Sequence, residues 1–311
     1  MAQLSQSSNH VFRTSPIANS IAFFDTAFHC TIPHHISSLP IDQSVATKRG
    51  LKKYGFHGLS YAFILRSVSQ FLQRSPESLN LIVLHLGSGA SVCAIKEGKS
   101  YDTSMGLTPV SGLPGATRSG AIDPSLIFHY TNKAEKITHD PNAASNLHVT
   151  EAEHILNSKS GWKSITGTTD FGEIVKCAFG PSEEEEEEEE EEAESEDPPR
   201  LTRTTATLAY NIFLDRILNY IGSYHLKLRA QVDALVFAGG IGEKSPELRA
   251  SVCKELEAIG FPRLDEGKNQ RVGEGVVVDL AESDKRILVC RTDEQLEMAR
   301  QCAGKDEFWE E

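Results

Sequence analysis

The sequence predicts an α/β fold, because short apolar runs typical of buried strands alternate along the chain with longer segments of helical periodicity. Residues 81–84 are an apolar run of strand length, and the predicted strands at 233–237 and 286–290 are apolar after a charged first residue. Residues 60–73 and 203–227 carry apolar side chains at the spacing of an amphipathic helix. At 311 residues the chain can hold one large domain or two of medium size.

The first strong apolar run leads into a turn of small residues. Residues 81–84 are followed by His85 and Leu86 and then by Gly87-Ser88-Gly89. Residues 92–95 predict a returning strand, and 96–99 predict the turn of a second hairpin. Glycines let backbone N–H groups approach an anion and serine hydroxyls add donors, so the pattern predicts a phosphate-binding hairpin. Most Gly/Ser turns are ordinary tight turns, and from the turn alone that alternative stays open.

Two polar, glycine-flanked clusters follow, at 102–106 and 115–120, joined by a loop rich in proline and glycine. We expect this loop to expose its side chains and to hold Arg118 between turns. The planar guanidinium of arginine donates two parallel charge-assisted bonds to a phosphoryl group or a carboxylate. Arg118 is therefore a candidate for binding either group.

The net charge of −13 comes from one segment. Residues 183–197 contain thirteen acidic residues and no basic one, and without them 31 acidic residues balance 31 Lys and Arg. The charge therefore argues neither for nor against a basic partner. A run of this kind predicts a solvated, disordered insert, with a functional acidic segment as the alternative.

The six cysteines are scattered without metal-ligand spacing, which predicts reduced thiols in a cytoplasmic protein. No apolar stretch approaches the length of about 18–20 residues that spans a bilayer. The first twenty residues lack the apolar core of a secretion signal and predict an irregular segment.

Near the amino end, residues 21–24 predict a short apolar strand that ends at Asp25. His57 lies between an aromatic residue and a glycine, immediately before the helix predicted over 60–73. A carboxylate after a buried strand can be catalytic, but most such residues only cap a turn. A histidine at the start of a helix is likewise more often structural.

Three further segments carry candidate residues. Residues 161–171 form a Gly/Thr-rich loop, and the strand 233–237 runs into Gly239-Gly240-Ile241-Gly242-Glu243, where glycines allow close approach of a nucleotide. The strand at 286–290 leads to a helix that opens near Glu294. On its own, Glu294 is an acidic residue that complements a helix N-terminus.

These blocks together resemble the acetate kinases of the acetate and sugar kinase/heat-shock-70/actin superfamily. The similar stretches are FDTAFH, YGFHG, HLGSGAS, DTSMGLTP, TRSGAIDP and FAGGIGEKS, in family order from about residue 23 to 300. The resemblance implies a two-domain actin-like ATPase (ribonuclease H-like) fold with the first domain truncated, because the family's N-x-G-S-S-S-x-K hairpin and an upstream arginine are absent. We therefore expect an irregular segment at 1–20, a remnant of the first domain at 21–80, a second, nucleotide-binding domain at 81–300 with the acidic insert at 182–199, and a tail at 301–311.

The resemblance also implies roles for individual residues. Asp25, His57 and Arg118 match catalytic residues, and Glu294 matches a Mg²⁺ ligand. The expected nucleotide-binding residues are His85, Leu86, Gly87, Ser88, Gly89, Asp170, Phe171, Gly239, Gly240, Ile241, Gly242 and Glu243. Phe56 and Pro109 are expected to line the pocket for acetate. Gly172 replaces the basic residue that follows Asp-Phe in the family, so the adenosine contact that this basic residue makes in the family is not expected here.

The implied reaction is reversible transfer of the ATP γ-phosphate to acetate, giving acetyl phosphate and ADP. ATP/ADP and Mg²⁺ are the implied cofactors, with Mn²⁺ as an alternative, and Asp25 either organises the metal or acts as acid/base. The other hypotheses are a kinase for another short-chain acid such as propionate and an inactive nucleotide-binding or interaction protein. We expect small-molecule substrates and a homodimer, and neither nucleic acid nor membrane as a partner.

Overall fold

The computed structural model describes residues 21–127, 150–181, 199–281 and 283–305. Their centre is one six-stranded mixed sheet, with the strands in the order β3-β2-β1-β4-β6-β5. The strands are β1 (Leu81–Leu86), β2 (Ala90–Lys96), β3 (Lys99–Thr103), β4 (Ala234–Ala238), β5 (Val277–Ala281) and β6 (Arg286–Cys290).

Helices surround the sheet. They are α1 (His34–Ser37), α2 (Gln43–Arg49), α3 (Gly58–Leu72), α4 (Glu151–Ser158), α5 (Lys163–Thr166), α6 (Phe171–Phe179), α7 (Arg203–Lys227), α8 (Gly239–Lys244), α9 (Pro246–Leu256), α10 (Glu266–Gln270) and α11 (Glu294–Ala303). Short 3₁₀ turns lie at Ala27–Thr31, Pro76–Ser78 and Glu257–Ile259.

Strand β1 joins the antiparallel and the parallel halves of the sheet. It pairs antiparallel with β2, from Leu81 opposite Ile95 to Leu86 opposite Ala90, and parallel with β4 on its other side. Because β1 and β4 are parallel, their carboxyl ends meet at one edge of the sheet. The turn after β1 and the glycine loop after β4 are therefore neighbours, as at the ligand-binding edge of open α/β sheets.

Each face of the sheet is covered by helices, and this layering accounts for the apolar strands. Helices α6 and α7 pack on one face, where Phe171 and Phe213 join the core around Leu84. Helix α3 covers the opposite face through Tyr61 and neighbouring apolar residues. A central strand buried on both sides is apolar throughout, which is why 81–84 reads as a continuous run.

Local sequence signals correctly predict several elements. Both hairpins of 81–103 are confirmed, and so is the long helix, which spans 203–227 and begins at the Thr202 capping box. The predicted helix at 60–73 is confirmed as α3, which begins two residues earlier. A second capping box, between Thr150 and Glu153, opens α4.

Three local expectations are wrong. Residues 21–24 form no strand, and Phe24 is 65% exposed, because an apolar run pairs only where a neighbouring strand is available. The loop at 107–114, which was expected to expose its side chains, does so at Leu107 and Thr108 but buries Leu113 and Pro114. The apolar spacing of 203–227 predicts a buried Leu208, but Leu208 is exposed on α7, whereas Tyr210 and Phe213 are buried.

Several expectations lie outside the described residues: the irregular segment 1–20, the acidic run 183–197 and most of the tail. The domain boundary at residue 80 stays a prediction, although α3 packs on the same sheet as the residues beyond it. None of the helices in the described ranges is long and apolar enough to cross a membrane.

Candidate active site

The turn between β1 and β2 lies at the edge of the sheet and is supported by the loop that carries Arg118. The Ala116 N–H donates to the Ser88 carbonyl at 2.9 Å, and the Gly115 N–H donates to the Arg118 carbonyl at 3.0 Å. A Cβ on Gly115 would lie 2.7 Å from the Ser88 oxygen, so the close approach requires glycine. These contacts place the guanidinium over Gly89, where an added Cβ would lie 3.0 Å from Arg118 Nη1.

His57 meets Arg118 at the same point. It has a left-handed backbone (φ 59°) immediately before α3, an uncommon conformation for a residue other than glycine. Its Nδ1 is 2.8 Å from the Ser91 hydroxyl, and its Nε2 would lie 3.8 Å from a Cβ on Gly89. Burial lowers the His57 pKa below its ordinary value of 6.5, and Arg118 lowers it further, while Asp25 and Glu294 oppose this shift. The imidazole is therefore neutral at pH 7.

Two carboxylates act electrostatically on His57. Asp25 lies at the start of α3, where its Oδ1 accepts the Leu59 N–H at 3.5 Å. Glu294 lies in the first turn of α11, and its Oε1 accepts the Ser60 hydroxyl at 2.5 Å. Their opposing effect on the His57 pKa means that both lie within electrostatic reach of that ring.

An ion pair between a buried carboxylate and a partly exposed guanidinium fixes α11 against α3. Arg66 of α3 donates to Glu297 at 3.0 Å, and the Glu297 side chain is fully buried. Since Glu294 lies one helical turn before Glu297, this pair and the Ser60 contact together hold the Glu294 carboxylate beside the start of α3.

A cavity of about 940 Å³ opens beside the turn. Gly87 and Ser88 lie on one side, Gly240 and Ile241 of α8 on the other, and Asp170 and Phe171 form part of the wall. Glycine turns on two sides and an aromatic wall are typical of a nucleotide site. The turn predicted to bind phosphate and both segments predicted to bind adenosine thus line one cavity.

The other residues of the glycine loop have structural contacts. Gly239 has φ 75°, and a Cβ there would lie 2.6 Å from the Leu86 carbonyl. Gly242 is buried against Phe237. The Glu243 carbonyl accepts Arg249 Nη1 at 2.9 Å. These three residues shape the loop, and Gly240, with open space beside it, is the residue that a ligand can approach.

The predicted ligand contact of the Leu86 side chain needs correction, and that of Phe171 stays a prediction. Leu86 is fully buried in the core, so its side chain cannot contact a ligand. Phe171 is 4% exposed and packs against Tyr210 and Trp162, and thus supports the cavity wall more than it contacts a base. Asp170 caps α6 by accepting the Gly172 N–H at 2.7 Å.

His85 lies behind His57 rather than in the cavity. The two ring centroids are 4.5 Å apart, and burial lowers the His85 pKa to about 3. Its Nδ1 is buried without a hydrogen-bond partner among the described residues. Gly89 lines a second, polar cavity of about 530 Å³ together with Ser88 and Arg118.

Phe56 and Pro109 are both half-buried. The Phe56 carbonyl accepts His29 Nε2–H at 2.9 Å, which fixes the backbone immediately before His57. A shared pocket of Phe56 and Pro109 for acetate stays a prediction.

Some side chains of the site were missed from the sequence. Lys176 and Lys244 line the large cavity, and Lys176 lies one helical turn after Gly172, where the basic residue is missing. Helical spacing from His57 could have indicated Ser60 and Tyr61, which lie in the first turn of α3. No local signal distinguishes Ser91 from other serines.

The protein has the actin-like ATPase fold. Its defining features are a glycine turn between antiparallel strands, a facing glycine loop after a parallel strand, and a nucleotide-sized cavity between the two. The sequence matches the acetokinase family over residues 4–300. The chain belongs to this family, and the fold expected from the sequence is confirmed by the solved structures that it resembles.

Relatives and solved structures agree with this assignment. A probable acetate kinase of Neurospora crassa is 50% identical over 93% of this chain, and one of Cryptococcus neoformans is 43% identical over 94%. The alignments cover 63% and 65% of those relatives, so the chain spans about two-thirds of their length.

Two solved structures superpose with a TM-score of 0.76 each. The acetate kinase of Porphyromonas gingivalis is 29% identical, with 94% of this chain and 66% of that chain covered. The propionate kinase of Francisella tularensis is 31% identical, with 95% and 67% covered.

Proposed function

We propose that the protein is an acetate kinase, which transfers the γ-phosphoryl group of ATP to acetate and forms acetyl phosphate and ADP reversibly. The observation that carries the proposal is the convergence of Arg118 Nη1 and His57 Nε2 over Gly89, beside a nucleotide-sized cavity. In the forward direction an acetate oxygen bonds to the γ-phosphorus, and the bond from that phosphorus to the ADP oxygen breaks. Because the carboxylate is the nucleophile, the reaction needs positioning more than proton transfer.

Charge stabilisation is the part of catalysis that these side chains can supply. Phosphoryl transfer spreads negative charge over the three equatorial oxygens of the transferring group. The Arg118 guanidinium and a neutral His57 offer donors to those oxygens from two directions. One such donor typically contributes about 10²–10³ in rate.

We propose that Asp25 organises the site rather than acting as a base. Acetate, with a carboxyl pKa of about 4, is already ionised at pH 7 and has no proton to lose. The Asp25 carboxylate lies at the start of α3 beside His57, where it is suited to orient a metal ion or its water ligands.

The site also fits a divalent metal, and we propose Mg²⁺, with Mn²⁺ as an alternative. No group of three metal-ligating side chains occurs in the described ranges, but Asp25 and Glu294 both lie near His57. Mg²⁺ in nucleotide sites is held by one or two carboxylates together with phosphates and water, which matches this pair. The metal would neutralise charge on the β- and γ-phosphates.

The nucleotide is the expected phosphoryl donor because of the size and lining of the large cavity. Lys176 and Lys244 add positive charge there, and Gly240 leaves open space for close approach. We propose that adenosine binds between α6 and α8, with its phosphates directed toward the Gly87–Ser88 turn.

A kinase for propionate is the second candidate. The similarity to the propionate kinase equals that to the acetate kinase in TM-score, and it favours neither substrate. One methylene in an apolar pocket changes binding by only about 1–3 kcal/mol, so the two activities can coexist. A homodimer and a cytoplasmic location also stay predictions.

The test is Mg²⁺- and ATP-dependent formation of acyl phosphate by the 311-residue chain, trapped as the hydroxamate. We expect product with acetate and a lower kcat/KM with propionate. A higher kcat/KM with propionate would favour the second candidate. A folded chain that binds ADP but forms no acyl phosphate from either acid would contradict the kinase proposal and favour a nucleotide-binding protein.

A further inference from the structure

Three side chains from two elements form a hydrogen-bonded chain that ends at the proposed phosphoryl site. The Tyr61 hydroxyl, on α3, is in short hydrogen-bond contact with Ser91 Oγ, on β2. Ser91 Oγ in turn lies 2.8 Å from His57 Nδ1. Tyr61 and Ser91 are both fully buried, so solvent does not reach these hydrogen bonds behind the imidazole.

The positions of the protons follow from counting donors and acceptors. Among the described residues, Ser91 Oγ is the one hydrogen-bond partner of the Tyr61 hydroxyl. Burial raises the Tyr61 pKa well above 10, so the phenol keeps its proton. If Ser91 donated to Tyr61, the phenolic proton would be buried without an acceptor, which is unfavourable. Tyr61 therefore donates to Ser91.

The same count applies to the next bond. The Ser91 hydroxyl has one proton, and within the described part of the chain its Oγ contacts Tyr61 and His57 and no other polar partner. Since Tyr61 donates to Ser91, the Ser91 proton is satisfied only by donation to His57 Nδ1. An Nδ1 that accepts a hydrogen bond leaves the proton of a neutral imidazole on Nε2.

We propose that Tyr61 and Ser91 are positioning residues that hold His57 as the neutral tautomer with its proton on Nε2, directed toward the space over Gly89 where Arg118 also donates. This inference rests on the proposed function for the identity of the acceptor, a phosphoryl oxygen. The tautomer itself follows from the hydrogen bonds alone. The opposite tautomer would present a lone pair to a negatively charged group and would be repelled by it.

The first measurement reads the tautomer without substrate or activity. Histidine ring nitrogens are observed by NMR in uniformly ¹⁵N-labelled protein, and the His57 signals are assigned by their loss in His57→Gln. We expect a pyridine-type Nδ1 and a pyrrole-type, protonated Nε2. A protonated Nδ1 with a pyridine-type Nε2 in the parent chain would overturn the proposal, whether or not the chain is a kinase.

The second measurement uses variants that each remove one hydroxyl from the hydrogen-bonded series behind His57. In Ser91→Ala we expect the two His57 nitrogen signals to move toward each other, as the tautomers mix, and kcat for acetyl phosphate formation to fall about tenfold, a fraction of the loss of a whole donor. Tyr61→Phe, which keeps the shape of the ring, should give a smaller change in the same direction. Unchanged His57 signals in both variants would contradict the proposal.

The protein contains a second tyrosine–serine pair that serves as a matched control. Tyr210 is buried, and its hydroxyl donates to Ser251 Oγ at 2.7 Å and also contacts the Glu247 carbonyl at 3.2 Å, which gives a second Tyr–Ser pair away from His57. Tyr210→Phe and Ser251→Ala should lower stability comparably and leave the His57 signals unmoved. The parent protein could show the expected tautomer and yet form no acetyl phosphate. In that case the proposed function would fail while the tautomer assignment stood.

Discussion

Replacing Gly89 by alanine adds one methyl group at the point where the proposed phosphoryl group meets its donors. Gly89 is not among the residues with positive φ, so alanine can adopt its backbone conformation without strain. The requirement for glycine is therefore one of space. The new Cβ would lie 3.0 Å from Arg118 Nη1 and 3.8 Å from His57 Nε2.

The magnitude follows from these distances. A contact of 3.0 Å is tighter than an ordinary carbon–nitrogen contact, so the guanidinium must shift by a few tenths of an ångström. The methyl group also occupies the space between the two donors, so the phosphoryl oxygen is displaced further. A misplacement of about 1 Å can cost about 100-fold in rate. We therefore expect kcat to fall about 100-fold, which corresponds to about 2.7 kcal/mol.

Binding and stability should change little. Gly89 does not line the large cavity, so the Kd for ADP should stay within about threefold, a difference below about 0.7 kcal/mol. Restricting the unfolded chain at a compatible site contributes about 0.4–1 kcal/mol of stability, which offsets the tight contact. Urea unfolding and ADP titration measure both quantities.

Gly222→Ala is the matched control. Gly222 lies inside α7 with nothing within 4 Å of an added Cβ. The Gly222→Ala substitution should leave kcat unchanged and raise the free energy of unfolding by up to about 1 kcal/mol. A Gly89→Ala chain that is folded and keeps kcat within about threefold of the parent would refute the placement of the transferring group over this turn.

Three further predictions concern side chains around the site. Burial lowers the His29 pKa to about 4 in the folded chain, so between pH 6.5 and about 4 the unfolded state binds a proton that the folded state does not, and stability should fall by up to about 3 kcal/mol as the pH decreases. In urea titrations at several pH values, His29→Gln should remove this part of the slope. Ser60→Ala breaks the 2.5 Å bond to Glu294 and should raise the Mg²⁺ concentration needed for half-maximal rate about tenfold. Asp102→Asn leaves two lysines without their buried carboxylate, and the free energy of unfolding should fall by about 2–3 kcal/mol in urea.

Each of these has an outcome that contradicts its reasoning. A His29→Gln chain with the parental pH slope would mean that the destabilisation arises at other groups. An unchanged Mg²⁺ requirement in Ser60→Ala would remove Glu294 from the metal site. Full stability in Asp102→Asn would mean that Lys53 and Lys227 gain nothing from the buried carboxylate.

Elements with strong local signals were predictable from the sequence. The hairpins of 81–103 follow from apolar runs separated by turn residues, and α7 follows from its periodicity and its threonine cap. Contacts between distant residues were not predictable in the same way. Asp102 and Lys227 are 125 residues apart. No property of residues 102–106 indicates that the Asp102 carboxylate is buried in a salt bridge with a lysine of α7.

The same distinction between local signals and distant contacts applies to the candidate site. Family resemblance indicated Arg118, His57 and Glu294, but their supporting contacts depend on tertiary packing. Ser60 and Glu294 are separated by 234 residues, and their contact exists because α3 and α11 lie side by side. Leu86 was wrongly predicted as a ligand contact because a motif match does not tell which of its residues face the core.

The most direct test of phosphoryl transfer over the Gly89 turn is phosphorus NMR of the chain with ATP, Mg²⁺ and acetate, compared with Arg118→Ala and Arg216→Ala. Arg216 is an exposed arginine of α7 that pairs with its neighbour Asp215 and serves as the charge-matched control. We predict that acetyl phosphate and ADP signals grow in the parent and in Arg216→Ala, and that acetyl phosphate is lost in Arg118→Ala. Acetyl phosphate formed at the parental rate by Arg118→Ala would contradict the central claim.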